Sequence, residues 1–128
     1  MKARILFVFL ILSMSAFTGG DITDEIALAV KSGNSKEISS HFTDNIDLKV
    51  LQQEDVYSKA QAELIVKDFF LKHTVKSFEI DHKSVKNDTQ FAIGKLETSA
   101  GKFRVYFLIK KSAGKLKIQQ FRIEAEND

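Results

Sequence analysis

The chain has 128 residues, 19 of them basic and 17 acidic, with three histidines and no cysteine. Lys2 and Arg4 account for the whole basic excess, leaving 17 basic against 17 acidic residues, a balance without the field that nucleic-acid binding draws on. Without cysteine there are neither disulfides nor thiolate metal sites, so a small extracellular domain of this composition must rely on packing.

Lys2 and Arg4 precede an apolar run, Ile5 to Leu12, followed by the small residues Ser13, Ser15, Ala16, Gly19 and Gly20. A positive start, a short apolar stretch and small residues beyond it read as a secretory signal peptide over 1–20, cleaved between Ala16 and Asp21. The run is shorter than the roughly 20 residues that a membrane span needs. The absence of a cysteine near residue 20 also removes a lipid attachment point. The expectation is a secreted or periplasmic protein, free of the membrane once the signal is removed, with residues 21–128 forming one small domain.

Asp21–Gly33 reads as a helix. Thr23 or Asp24 can cap it, Ile22, Ile26, Ala29 and Val30 form one stripe, and Gly33 suits a left-handed stop. Asn34 or Ser35 can start a second short helix that buries Ile38 and Phe42. A brief strand follows at Ile46–Leu51. Ser58 and Gln61 have the spacing of a capping box for a long helix running to about His73. In that helix Ala62, Ile65, Val66 and Phe69 form one stripe, while Ala60, Leu64 and Leu71 lie almost opposite, so cover is expected on two sides.

From Ser77 the chain alternates as strands do. Phe78, Ile80 and His82 share a parity; Asn87-Asp88 marks a turn; Phe91–Thr98 is the next strand. In Lys102–Lys111 the residues Phe103, Val105, Phe107 and Ile109 take one face. Tyr106 and Leu108 stand on the other, so this strand is expected to be central and covered on both sides. Ser-Ala-Gly-Lys occurs twice, at Ser99–Lys102 and Ser112–Lys115, as a repeated hairpin turn rather than a phosphate loop. Leu116 and Ile118 differ in parity from Phe121 and Ile123, which calls for one extra residue near Gln119-Gln120. The fold class is α+β, with N-terminal helices packed on a curved, mainly antiparallel C-terminal sheet.

The segments His41-Phe42-Thr43-Asp44-Asn45-Ile46-Asp47-Leu48, Tyr57-Ser58-Lys59-Ala60-Gln61-Ala62 and Phe69-Phe70 carry a resemblance. Their order resembles the nuclear transport factor 2-like superfamily, a cone-shaped relative of the cystatin fold. More closely, Asp21 to Glu124 is similar to a bacterial secreted family known as domain of unknown function 4783. The resemblance implies a pocket between the concave face of the sheet and the helices. The isomerase-like members carry a general base at a place that falls near Val50, which is apolar here, and a tyrosine on the first helix, which has none. That mechanism is not expected.

Candidate ligand-binding residues are Tyr57, Phe69, Phe70, His82, Arg104 and Tyr106. His82 is the one weak candidate for a catalytic acid or base, in a small lyase or isomerase that would need Arg104, Tyr106 or Tyr57 beside it. His41 and His73 are read as helix C-terminal residues, and Tyr57 as a staple on the third helix. No pair of histidines has metal-ligand spacing, and neither a metal nor another cofactor is expected. The leading expectation is a non-catalytic binding module, for a small molecule or a protein partner, that forms a homodimer through the sheet face bearing Tyr106 and Leu108.

Overall fold

The computed structural model describes residues 21–126. The expected signal peptide lies outside the described residues. The elements are α1 (Ile22–Lys31), α2 (Ser35–Ser40), β1 (Phe42–Val50), β2 (Gln53–Ser58), α3 (Lys59–Lys72), β3 (Val75–Lys86), β4 (Thr89–Thr98), β5 (Gly101–Ser112) and β6 (Lys115–Ala125).

Each helix start is fixed by one side chain. Asp21, rather than Thr23 or Asp24, caps α1: its carboxylate accepts from the Thr23 hydroxyl at 2.7 Å and from the Asp24 amide at 3.0 Å. Asn34 caps α2 through the Glu37 amide. Ser58 and Gln61 form the expected box at the start of α3, with the Gln61 amide 3.2 Å from Ser58 Oγ. Gly33, at φ +62°, turns the chain out of α1, and the Asn34 amide reaches back to the Ala29 carbonyl.

The six strands form one sheet in the order β2-β1-β6-β5-β4-β3, antiparallel except for the β1–β6 pair. Phe103, Val105, Phe107 and Ile109 of β5 are buried against the helices, together with Phe121 and Ile123 of β6, Leu96 of β4 and Ile46 and Leu48 of β1. The phase change in β6 is resolved as expected. Leu108 pairs with Gln120 and Ile109 with Ile118, so Gln119 is the extra residue and both halves of the strand point inward.

Further differences from the sequence concern β2, β5 and α3. The segment before Ser58 is a strand, β2, paired with β1 from Asn45↔Ser58 to Val50↔Gln53; only Tyr57 in it is partly buried, so no alternation announces it. The helices cover one face of β5 alone, since Arg104 is exposed and Tyr106 and Leu108 are half-buried. On α3, Ala62, Val66, Phe69 and Phe70 are buried, but Leu64 and Leu71 remain 64% and 73% exposed, so the second stripe has no cover.

The two Ser-Ala-Gly-Lys segments both turn hairpins, but at different offsets. Thr98 pairs with Gly101 around Ser99-Ala100, whereas Ser112 pairs with Lys115 around Ala113-Gly114, both at positive φ. Gly94, on the inner face of β4, has a different task. A Cβ there would lie 2.6 Å from the Glu79 carbonyl oxygen and from the Phe78 ring. Because one obstacle is backbone, repacking a side chain cannot relieve it.

Two predictions follow from this architecture. Gly94→Ala should destabilise the fold by about 1–3 kcal/mol, as overpacking does, read as a lower urea midpoint at unchanged m-value. The Thr23 hydroxyl, the Asp24 amide and Lys83 at 3.5 Å hold the Asp21 carboxyl below its ordinary value of 3.8. Its folded pKa being the lower one, its contribution is full above pH 3.8 and is lost as the pH falls through the folded value. Asp21→Asn should therefore cost stability at neutral pH and progressively less below pH 3.8, in paired thermal melts across that range.

Candidate functional site

The candidate residues fall on two sides of the sheet. Tyr57, Phe69 and Phe70 are on the helix side. Phe69 and Phe70 are buried, with rings 5.2 Å apart and edge to face, and Tyr57 is half-buried against the core at the entrance to α3, as a staple would be. His82, Arg104 and Tyr106 are on the outer side. These six residues therefore do not line a common pocket.

His82 is displaced by a shift of register. Ile80 pairs with Gly94, but His82 pairs with Ile93, so Asp81 is an extra residue. Before it, Phe78 and Ile80 point inward with Leu96 and Gly94; after it, His82 points outward with Ile93. Shared parity within β3 thus does not mean a shared face. His82 is exposed, its ring 5.8 Å from Phe91, and Phe91 stands 6.0 Å from Tyr106. The lyase or isomerase expectation needed His82 in a pocket beside Arg104, Tyr106 or Tyr57, and the register shift removes it from the cone.

The space between the concave face and the helices is filled by rings. Phe42 and Phe121 are 5.6 Å apart, Phe107 and Phe121 6.4 Å, Phe69 and Phe103 5.2 Å. Two features of the surface bear on function. One is the outer face of the sheet, where Tyr106 pairs across the ladder with Ile93 and Arg122, and Leu108 with Phe91 and Gln120. Lys49–Glu124 at 3.1 Å and Arg122–Glu54 at 3.4 Å flank this patch.

The other feature is a groove of about 320 Å³ between α3 and the β1–β2 turn. Val50, Leu51 and Gln53 form one wall; Leu64, Ile65, Asp68, Phe69, Lys72 and His73 form the other. Leu51 takes a positive φ of 59°, unusual for a bulky side chain. His73 ends α3 as expected and His41 ends α2, with its Nε2 buried 3.7 Å from Glu37 Oε2. In the sequence His73 reads as a helix terminus. Its one available signal was the i, i+4 spacing from Phe69, which lets the imidazole lie flat on that ring. Among the described residues, no group of three or more His, Asp or Glu side chains is placed to hold a metal ion.

The three helices and curved six-stranded sheet define the nuclear transport factor 2-like, cystatin-like fold. A structure from Nostoc punctiforme, a domain of unknown function with a cystatin-like fold, superposes with a TM-score of 0.64 at 12% identity, over 83% of this chain and 74% of that one. The structure named Rd1NTF2_04 with long sheet gives 0.62 at 19% identity, over 79% and 94%. The model of the family "Domain of unknown function (DUF4783)" matches residues 23–124, and the chain belongs to that family. A DUF4783 family protein from Bacteroides uniformis is 31% identical, with a TM-score of 0.80 over 84% of this chain and 100% of its own. No curated protein matches the sequence.

Proposed function

We propose that this chain is an exported, non-catalytic binding module that pairs with a second copy of itself through the outer face of its sheet. The observation that carries the reading is the uncovered side of β4 and β5, where Phe91, Ile93, Tyr106 and Leu108 lie half-buried on adjacent strands. Apolar and aromatic side chains at the centre with charged groups around them are the usual anatomy of an association surface. Under two-fold symmetry one patch meets its own copy, so the chain needs no second complementary surface. Some of the flanking charges are matched in sign within the chain, Lys49 with Glu124 and Arg122 with Glu54. Export is supported by Lys2, Arg4 and the apolar run Ile5–Leu12.

Light scattering on residues 21–128 is expected to give twice the chain mass, and Leu108→Lys to return it to one. A single-chain mass for the unmodified protein across the micromolar range would overturn the reading. Urea melts separate the two faces. Phe107→Ala removes a fully buried ring and should cost about 3–5 kcal/mol at any protein concentration. The cost of Tyr106→Ala should rise with concentration, because association stabilises the unmodified protein more than the variant.

A further inference from the structure

We propose that the groove between α3 and the β1–β2 turn binds a neutral, largely apolar small molecule that donates one hydroxyl hydrogen bond to His73 Nε2. His73 Nδ1 lies 2.7 Å from the Phe69 carbonyl oxygen. A carbonyl only accepts, so Nδ1 carries the proton and Nε2 of the neutral ring is a bare acceptor. The ring is also held in place. It stacks on Phe69 at 4.1 Å and 10°, and Phe103 meets it edge-on at 5.1 Å. His73 lines the groove, and its ring orientation is set before any ligand arrives, which reduces the ordering cost of binding.

The remaining lining carries no net charge. Lys72 and Asp68 are paired with each other at 3.2 Å, so neither offers an uncompensated charge to a guest. Leu51, Leu64 and Ile65 provide apolar walls. Leu64 is 64% exposed on the helix face opposite the core, and Leu51 holds its place at the cost of a left-handed backbone. That φ belongs to the two-residue β1–β2 turn, as at Ala113 in the β5–β6 turn. A volume of about 320 Å³ is at the small end for ligand sites, which points to a guest of one or two rings. The groove lies on the helix side of the sheet, so the proposal does not depend on the pairing of outer faces.

The test compares 1-naphthol with 1-methoxynaphthalene, which has the same rings and no donor, by NMR titration of the isotope-labelled chain. Saturable shifts are expected at Leu51, Leu64, Ile65 and His73, with the ether binding at least tenfold more weakly. His73→Phe keeps a ring on Phe69 but removes the acceptor, and should erase the preference. Leu64→Glu, at an exposed position that spares the core, should weaken both probes. Equal affinity for the two probes, a preference that survives His73→Phe, or shifts centred on Tyr106 instead would each overturn the assignment. If His73→Phe fails to fold, the two-probe comparison and Leu64→Glu decide it.

Discussion

The extra residue at Gln119 is what allows β6 to hold the sheet together. β6 lies between the β1–β2 pair and the other three strands, parallel to one neighbour and antiparallel to the other. Its two halves would bury opposite faces if the alternation ran on, because side chains on a strand change sides at every residue. One inserted residue puts Ile118 on the same side as Phe121 and Ile123. The stack of Phe42, Phe121 and Phe107, which fills the concave side, exists because of that single offset. An inserted residue also increases local twist and bends its strand, so it adds to the curvature of the sheet that admits the helices.

That offset was visible in the sequence because apolar residues lie on both sides of it. The same device in β3 was not. Phe78, Ile80 and His82 keep one parity, and nothing in the residue types marks Asp81 as supernumerary; only its pairing with β4 does. β2 was hidden for a related reason. A strand whose side chains, Tyr57 apart, stay in water leaves no periodic trace. The helices were legible because their starts rest on local chemistry, Asn34 with the Glu37 amide and Ser58 with Gln61, which is written within four residues. Asp21 went unnoticed as a cap because Thr23 and Asp24 are of equally suitable type.

The candidate site was the least legible part. Tyr57, Phe69 and Phe70 could be recognised as buried or nearly so, but burial does not distinguish a core from a cavity. In this protein the place where relatives of the fold are expected to keep a pocket is occupied by phenylalanine rings. Room for a guest lies further out, along the side of α3. That helix has apolar residues on opposite sides and only one side in the core. The second stripe looked like a packing requirement in the sequence; in the fold part of it is a groove wall.

The irregularity of β3 has a consequence for how copies of this chain can meet. β3 is a terminal strand of the sheet, with one long flank of backbone amides and carbonyls not paired to another strand. Such a flank invites another strand to zip alongside it. Here the register with β4 breaks twice, between Val75 and Ser77 and again between Ile80 and His82. Lys76, Lys83 and Lys86 stand along it. A second chain offering a straight strand would find amides out of step and several cations in its way. Growth of the sheet from one molecule into the next, the first step toward fibrous aggregation, is thereby discouraged for a chain whose core holds no disulfide to keep it closed.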